Sequence, residues 1–400
     1  MSLLTKERTI EVYCTVRDGG DRLTRRHLKD LRSRNAAAAS AAIHIDSSRN
    51  YQKIVGFGGS FTEAAAYALS KVSPAHRAEA IRAYFHPEEG LGYSLCRTHI
   101  NSCDFSLGNY AHADVDGDTE LAHFTIERHE ELLIPLIQEA MALTATPIQL
   151  MASPWSPPGW MKTNGEMNHG GQLKPQYAPT WARYFAKFIH AYAAHGIPIW
   201  GVSVQNEPEA VQTWDSCIWT GEEECAFVRD HLGPTLAAEE LEHVKILIWD
   251  HNKDRIVARA QAVLDDPEAA RYVWGTAFHW YSGGHFEDLD EVHDMFPDKH
   301  LLFTEGCVEG GVKLGSWDVG ERYGHEIMGD LNHWNEGFID WNMVLDEGGG
   351  PNHVGNFCDA PIIADGKTDT LHYQSSYYYI GHFSKFILPG AVRVGCETGH

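Results

Sequence analysis

Two glutamates stand at the ends of apolar runs of the sequence and could act as a catalytic pair. Glu207 lies in Asn-Glu-Pro behind the run Trp200–Gln205, and Glu305 lies in Phe-Thr-Glu-Gly at the end of His300–Thr304. Cleavage of a glycosidic bond uses two carboxyl groups, one that attacks or activates water and one that exchanges a proton with the departing oxygen. If both runs are strands of one sheet, the two carboxylates meet at the same edge. A glutamate behind a strand can also be a solvated loop residue, so position alone leaves both interpretations open.

Aromatic and amide side chains follow other apolar runs and suit a carbohydrate ligand. A sugar ring packs its C–H faces on aromatic rings, and its hydroxyl groups bond to carboxylates and amides. The candidates at or beyond the ends of the runs are Asp104, Trp160, Asn206, Tyr281 and Trp341. Packing at the rim is the alternative role for the two tryptophans, and capping of a strand end is the alternative for Asn206. Asp250 and Asp340 rival the two glutamates by position alone.

Eight short β-rich runs alternate with helical patterns from about residue 50 onward, and these runs must position the candidates. Several are continuously apolar, which is typical of parallel strands buried on both faces. Helix signals between them include Ser73 followed by Pro74 and the apolar spacing of Ile126–Leu143 and Thr180–Ala194. The alternation predicts a (β/α)8 barrel with its active site at the carboxyl ends of the strands, although seven or nine units also fit. The runs are Ile54–Phe57, Ser94–Thr98, Ile148–Ala152, Trp200–Gln205, Lys245–Trp249, Trp274–His279, His300–Thr304 and Phe338–Asn342.

The first fifty residues follow a different pattern and are predicted to lie outside the barrel. Ile10–Arg17 alternates apolar and polar residues as a half-buried strand does, and Ile43–Ile45 is a second short candidate. The basic and then alanine-rich stretch Arg25–Ala42 is interpreted as a loop or a weak helix. We therefore expect strands separate from the barrel in residues 1–50 and a catalytic barrel in residues 51–388.

The charge balance excludes several classes of partner. Lys and Arg number 32 and Asp and Glu number 55, which gives a formal net charge of −23. Nucleic acids and anionic membrane surfaces bind to basic patches, so neither is an expected partner. No run of apolar residues is long enough to predict a membrane-spanning helix. The N-terminal residues lack the apolar segment of a secretion signal, which predicts a cytoplasmic protein, with export that needs no cleaved signal left open.

The sequence lacks the signatures of common metal and nucleotide sites. It contains no HExxH, no GxxxxGK[ST], no GxGxxG and no GxSxG. Its eight cysteines include no CxxC pair, which favours buried free thiols in a reducing compartment. Asp250, His251 and His279 could ligate a metal in a barrel hydrolase, but hydrogen bonding is the commoner role of a lone histidine. We expect no metal and no cofactor.

Eight ordered blocks of the sequence carry a resemblance that covers residues 54 to about 390. The chain resembles glycoside hydrolase family 30, close to the glucosylceramidase (glucocerebrosidase) branch and especially its bacterial members. The blocks are GFGGSFTEAAA (56–66), INSCDFSLGNYA (100–111), LMASPWSPPGWMKTNG (150–165), VSVQNEPEAVQTWDSC (202–217), AFHWY (277–281), LLFTEGC (301–307), GFIDWNMVLDEGGGPNHVGNF (337–357) and GHFSKFILPG (381–390).

This resemblance implies a fold and two catalytic roles. The family has a (β/α)8 barrel and a side β-sheet domain that the N-terminus and a C-terminal segment build together. Glu305 is then the nucleophile and Glu207 the general acid/base of a retaining mechanism without a cofactor. The family continues for several strands after Gly390, whereas this chain ends at His400. Residues 389–400 are therefore expected to be the start of a C-terminal part that is either truncated or reduced in this chain. The N-terminal strand would then lose partners and expose an edge.

The resemblance also implies roles for residues around the pair. Asn206 corresponds to the residue that bonds the sugar 2-hydroxyl. Arg97 and Tyr281 correspond to groups that bond to the nucleophile, and for Arg97 a purely structural ion pair is the alternative. The glucose-binding set of the glucosylceramidase branch corresponds to Asp104, Trp160 and Trp341, and Asn352 matches by its Gly-Pro-Asn context.

The expected function is that of a retaining β-glucosidase that acts on a glucosylceramide-like or other β-glucoside. A β-1,6-glucanase and a β-xylosidase are alternatives with the same chemistry. A non-hydrolytic glycan- or lipid-binding protein and a metal-dependent barrel hydrolase are alternatives of other classes. The sequence leaves the natural aglycone and the oligomeric state open.

Overall fold

A computed structural model describes residues 11–26 and 43–398 of the chain. Its central feature is a closed barrel of eight parallel strands that follow one another in chain order, from Gly56–Phe61 to Asn335–Asn342. The strands are β1 (Val12–Cys14), β2 (Thr24–Arg26), β3 (Ile43–Lys53), β4 (Gly56–Phe61), β5 (Leu95–Ile100), β6 (Gln149–Pro154), β7 (Ile199–Ser203), β8 (Lys245–Asn252), β9 (Val273–His279), β10 (His300–Glu305), β11 (Asn335–Asn342), β12 (Val344–Asp346), β13 (Ile362–Asp365), β14 (Thr370–Tyr373) and β15 (Val392–Thr398). The predicted barrel is confirmed, and each of the eight predicted runs overlaps one barrel strand.

Helices follow the barrel strands and pack around them. They are α1 (Glu63–Ser70), α2 (Pro74–Phe85), α3 (Glu127–Glu131), α4 (Leu133–Met141), α5 (Ala178–Ala194), α6 (Gly221–Phe227), α7 (Gly233–Ala238), α8 (Ile256–Leu264), α9 (Pro267–Ala270), α10 (Phe286–Met295), α11 (Trp317–Asn332) and α12 (Ser375–Ser384). As predicted, Ser73 caps α2 through its side chain and Pro74 is the first helical residue. The predicted helix over 126–143 is instead two helices, because Leu132 at their junction leaves the helical conformation with φ −134°. Within the described residues no helix is both long and apolar enough to cross a bilayer.

The first barrel strand begins and ends later than the sequence pattern indicates. The prediction ended it at Phe57 and placed Gly58 behind the strand, but β4 runs through both glycines to Phe61. A side chain at Gly58 would place its Cβ only 1.7 Å from the backbone oxygen of Leu95 on β5. Glycine is therefore needed here because the two strands approach too closely for any side chain.

An apolar layer fills one end of the barrel and leaves the other end for polar groups. Leu95, Met151, Leu247, Ala277, Leu302 and Ile339 form a separate buried cluster. Successive residues of a strand face opposite sides, so Arg97 points into the barrel as Leu95 does, one step nearer the carboxyl end. The interior thus changes from aliphatic to charged between these two residues of β5. This change sets the floor of the candidate site.

Two small antiparallel sheets lie outside the barrel. The predicted short strand at Ile43–Ile45 is the start of the eleven-residue β3, which pairs with β15 in antiparallel fashion. β3 therefore has a partner on one side, although most of its residues are exposed. The predicted N-terminal strand is β1, which pairs with β2. Most of the stretch Arg25–Ala42 lies outside the described residues, and the domain limits at residues 50 and 388 stay predictions.

Candidate active site

A cavity of about 180 Å³ opens at the carboxyl ends of the barrel strands. Both glutamates line it: Glu305 is the last residue of β10, and Glu207 lies in the loop behind β7. Loops from several other strands complete the wall. The lining residues include Asp104, Phe105, Trp155, Asn206, Trp214, His251, Asn252, Tyr281, Cys307, Trp341, Asn356 and Cys358.

Glu305 is held by two hydrogen-bond donors, one on each carboxylate oxygen. Arg97 donates from Nη1 to Oε2 at 2.6 Å, and the Tyr281 hydroxyl donates to Oε1 at 3.0 Å. Burial raises the pKa of Glu305, while the positive charges of His279 and Arg97 oppose that rise. Two fixed donors leave the carboxylate little freedom to rotate, so its oxygens keep a defined direction toward the cavity.

The Arg97 guanidinium lies below Glu305 and is completely buried. It donates to four side chains: Ser153 at 3.0 Å, Asn206 at 2.8 Å, Asp250 at 2.7 Å and Glu305. Its carbon centre also lies 4.7 Å from the ring centroid of Trp155. A planar fork of donors can satisfy several acceptors at fixed angles, which a lysine ammonium cannot do. Arg97 therefore fixes the nucleophile candidate and Asn206 with one rigid group.

Glu207 lies close to Glu305, although β7 and β10 are three positions apart in the barrel. Its backbone takes the left-handed conformation, with φ +48°, and its backbone N–H donates to the backbone oxygen of Asp250 at 3.0 Å. A carboxylate oxygen of Glu207 lies within 4.8 Å of one of Glu305. Retaining glycosidases place their carboxyl groups about 5–5.5 Å apart, whereas inverting enzymes need about 6.5–9.5 Å to admit a water molecule. The spacing here fits the retaining arrangement.

His279 joins Glu207 to the buried Asp250. Its Nδ1 lies 3.2 Å from Oε1 of Glu207, and its Nε2 lies 3.1 Å from Oδ1 of Asp250. Burial alone would lower the pKa of His279, but the charge of Glu305 and the bonds to Asp250 and Glu207 raise it to about 9. The imidazole is therefore protonated at neutral pH and donates from both nitrogens. Burial would raise the pKa of Glu207, but the hydrogen bond from His279, together with the charges of the nearby histidines and Arg97, lowers that pKa. In the free protein the proton between these two groups rests on His279.

Asp250 supplies the negative charge that the centre of the network needs. Its carboxylate accepts hydrogen bonds from Arg97, His279, Ser203 at 2.5 Å and Thr304 at 2.6 Å. Burial opposes ionisation, but Arg97 and His279 hold the pKa of Asp250 far below its usual range. Asp250 does not line the cavity. Its position among donors gives it a structural role and leaves the chemistry to the two glutamates.

One group of His and acidic side chains in the described part of the chain has donor atoms close enough to hold a metal ion. It consists of Glu207, His279 and Glu305, whose donor atoms lie within 4.8 Å of one another. A cation here would face the Arg97 guanidinium and would need an unprotonated His279. The residues fit a proton-carrying site better than a metal site.

Comparison with known proteins identifies the group to which this barrel belongs. The model described as Glycosyl hydrolase family 30 TIM-barrel domain matches residues 54–387. The chain belongs to glycoside hydrolase family 30. It is 40% identical over 377 residues to a lysosomal acid glucosylceramidase of Mus musculus, an alignment that covers 90% of this chain and 73% of the relative.

Two solved structures of high similarity give the same picture of the family 30 fold. SrfJ from Salmonella typhimurium has a TM-score of 0.87 at 41% identity, covering 94% of this chain and 84% of that one. An endo-β-1,6-glucanase has a TM-score of 0.85 at 32% identity, covering 97% of this chain and 86% of that one. This protein is thus a glycoside hydrolase whose relatives differ in the glucoside that they cleave.

The structure brings most of the predicted family 30 residues to one cavity. Glu207, Glu305, Asn206, Tyr281 and Trp341 line it with Asp104, and Arg97 supports it from below. Asn352 reaches the site indirectly, since its Nδ2 donates to Asp104 at 3.1 Å. The neighbouring Asn356, which the sequence analysis did not single out, donates to the same oxygen at 3.1 Å. Burial raises the pKa of Asp104 to about 7.

Trp160 is the exception among the predicted residues. It does not line the cavity; its indole N–H donates to the Ala113 oxygen at 3.0 Å, and its ring packs edge-on against Tyr177. Trp155 from the same loop lies in the wall instead, stacked on Trp341 with ring centroids 5.0 Å apart. Trp155 directly follows β6, so its position in the sequence carried the signal, whereas the resemblance pointed to Trp160. Trp214 was not predicted and lies in a loop without a strand signal.

Proposed function

We propose that this family 30 enzyme is a retaining β-glucosidase that removes a terminal β-glucosyl group from a glucosylceramide-like substrate. The observation that carries the proposal is the approach of Glu207 and Glu305 to within 4.8 Å, with Glu305 fixed by Arg97 and Tyr281. This geometry supports attack by one carboxylate and proton exchange by the other. The 40% identity to a glucosylceramidase supports the choice of sugar and aglycone.

The first step forms a covalent intermediate. Glu305 attacks the anomeric carbon, and the bond from that carbon to the leaving oxygen breaks. Glu207 delivers a proton to the leaving oxygen as the electron pair moves onto it. His279 is the source from which Glu207 is protonated, because the resting proton lies on its Nδ1 at 3.2 Å. Arg97 and Tyr281 hold the nucleophile in line during the attack.

The second step releases the sugar with its configuration retained. Glu207, now ionised, takes a proton from water, and the oxygen of that water attacks the anomeric carbon. The ester bond to Glu305 breaks, and the carboxylate returns to its two donors. Esterification has removed one negative charge near His279, so its pKa falls during the intermediate. His279 has already given up its proton in the first step, so the proton that Glu207 takes from water returns to Nδ1 of His279 once the charge of Glu305 is restored.

Other side chains that line the cavity support binding of a single terminal hexose. Asp104 is only 4% exposed and is held by Asn352 and Asn356, so its carboxylate presents a fixed acceptor for sugar hydroxyls. Trp341 offers an aromatic surface to the ring. Asn206, held by Arg97, is placed to bond the 2-hydroxyl beside the reacting carbon.

A β-1,6-glucanase is the second candidate, and the similarity to the endo-β-1,6-glucanase structure favours it. An enzyme that cleaves within a chain needs room for sugars on both sides of the reacting bond. The buried Asp104 and its two asparagines restrict the space on one side, which supports action at a chain end. Hydrolysis of a β-1,6-linked glucan to short oligosaccharides, with slow cleavage of aryl glucosides, would favour this candidate instead.

A panel of 4-nitrophenyl β-glycosides tests the proposal. We expect the wild type to release 4-nitrophenol fastest from the glucoside and to give β-glucose as the first product in an NMR time course. Glu305→Gln and Glu207→Gln should each lose activity by at least about 10³-fold, while the exposed Glu166→Gln on a neighbouring loop should not. An α-anomer as first product, or equal activity of Glu305→Gln, would refute the mechanism.

The same panel separates the remaining candidates. Preference for the xyloside would keep the mechanism and replace the substrate. Activity that is lost in a chelator and restored by a divalent ion would favour metal-dependent hydrolysis. A folded wild type that cleaves no aryl glycoside, no β-1,6-glucan and no glucosylceramide in detergent would leave a glycan-binding protein as the interpretation.

A further inference from the structure

Two cysteine thiols meet in the wall of the cavity. Cys307 Sγ and Cys358 Sγ are 3.0 Å apart, and both residues line the cavity while being almost fully buried. Both are free thiols, as are the other six cysteines. Cys307 lies two residues behind Glu305, and Cys358 lies two residues behind Asn356, so the pair joins the two segments that build the site.

The backbone around both cysteines is fixed on each side. Cys358 forms an antiparallel bridge with Glu309, and the Asp359 N–H donates to the Val308 oxygen at 2.8 Å. The Cys307 oxygen accepts the indole N–H of Trp280 at 3.2 Å. The two sulfur atoms are therefore kept in contact by the fold around them rather than by chance side-chain positions.

We propose that Cys307 and Cys358 are an oxidation site that a small oxidant entering the cavity converts to a disulfide. With an azo compound such as diamide, the Cys307 thiolate adds to the N=N bond. The Cys358 thiolate then displaces that nitrogen from sulfur, so one S–S bond forms. Two electrons and two protons pass to the azo group, which leaves as a hydrazine. A low-molecular-weight disulfide acts in the same way by two exchange steps and leaves as two thiols.

The neighbourhood of the pair sets the conditions for the reaction. The hydrogen bond with Cys358 and burial raise the pKa of Cys307 well above its usual range, so the reactive thiolate is scarce at neutral pH. The rate constant for oxidation at neutral pH is therefore low. The oxidation is also selective for this pair, because the sulfur atoms of Cys307 and Cys358 already lie in hydrogen-bonding contact.

The disulfide also affects hydrolysis, an effect that depends on the proposed function. A disulfide bond is about 2.05 Å long, so the sulfurs must approach by about 1 Å. The Tyr281 hydroxyl lies 3.5 Å from Cys307 Sγ and donates to Glu305 at 3.0 Å. Movement of the Cys307 sulfur removes a contact of the Tyr281 hydroxyl, and this hydroxyl orients Glu305. We expect kcat/KM to fall about tenfold on oxidation and to return after reduction.

The test uses the full chain with Cys14→Ser and Cys396→Ser, which removes a half-buried and an exposed thiol far from the cavity. Diamide is added at pH 8.5, and intact mass and peptide maps are recorded over time. We expect a loss of two hydrogen atoms per chain and a single cross-linked peptide pair containing Cys307 and Cys358. Cys358→Val and Cys307→Ala should each abolish that mass change, whereas Cys103→Ala, a buried cysteine of the same core, should keep it.

The outcomes divide cleanly. The proposed site is overturned if Cys307 and Cys358 of the Cys14→Ser, Cys396→Ser protein can still be alkylated after diamide treatment and denaturation. A different cross-link overturns it as well. A correct cross-link in a protein with unchanged kcat/KM overturns the link to hydrolysis and leaves the site. Because mass is read without a substrate, failure of the β-glucosidase proposal does not affect the first result.

Discussion

Arg97 donates a 2.6 Å hydrogen bond to Glu305 across the interior of the barrel, from β5 to a strand that is not its neighbour. The same guanidinium bonds to Asp250 at 2.7 Å, so one cation contacts two buried carboxylates. Loss of a partner from a buried ion pair leaves an uncompensated charge. The orientation of the nucleophile and the stability of the barrel therefore depend on one residue.

Replacement of Arg97 by methionine should damage both properties. We expect kcat/KM to fall by about 10²–10³-fold because Glu305 loses its strongest donor. The free energy of unfolding should fall by about 3–5 kcal/mol, measured by urea denaturation. Arg259 is a matched control, because it is also buried, bonds to Glu224 at 2.8 Å and lies outside the cavity. Arg259→Met should lower stability while its folded fraction keeps its kcat/KM; equal catalytic loss in both variants would contradict the role given to Arg97.

His279 should make stability depend on pH on the alkaline side. Its folded-state pKa of about 9 lies above the usual 6.5, so its contribution is complete below about pH 6.5 and is lost as pH rises through 9. The full shift corresponds to about 3 kcal/mol. Urea unfolding between pH 6 and 10 should therefore show a larger fall for the wild type than for His279→Gln. His190→Gln, at an exposed position, should follow the wild type, and parallel curves for the wild type and His279→Gln would contradict the assignment.

Asp104 should make substrate binding depend on pH near neutrality. Its pKa of about 7 means that its carboxylate form, the stronger acceptor for hydroxyl groups, becomes dominant only as pH rises through that value. The KM for the aryl glucoside should fall between pH 6 and 8 in the wild type. Asp104→Asn should raise KM about tenfold and lose this pH dependence, while the exposed Asp116→Asn should behave as wild type. A change confined to kcat would argue against contact with the sugar.

The two tryptophans of the original prediction should behave differently. Trp341→Ala removes an aromatic wall of the cavity and should raise KM about tenfold with a smaller change in kcat. Trp160→Phe removes the hydrogen bond to Ala113 and part of the packing against Tyr177, and should cost about 1–3 kcal/mol of stability with KM unchanged. A large KM effect in Trp160→Phe would return that residue to the binding site.

The sequence is sufficient to predict the barrel and the position of its mouth. Glu305 ends a buried strand and Glu207 follows one, and the rule that barrel sites lie at carboxyl ends then places both at one opening. The end of β4 could not be predicted, because the need for Gly58 within the strand comes from the approach of Leu95 on another strand. Hydrogen bonding was the role expected for His279, but its two partners could not be predicted. A register shift between Trp249 and His251 of β8 accompanies the position of Asp250 under the imidazole, and such a shift arises from barrel closure rather than local pattern.

The antiparallel ribbon of β3 and β15 has a mechanical consequence. Ile43 is opposite Thr398 at the outer end, and Lys53 is opposite Val392 next to the barrel. A force that pulls residues 43 and 398 apart breaks the hydrogen bonds of this ribbon one after another from its outer end, before any tension reaches the barrel. Single-molecule stretching should therefore show a weak early extension followed by one much stronger rupture. The ribbon thus shields the catalytic strands from a load applied between residues 43 and 398.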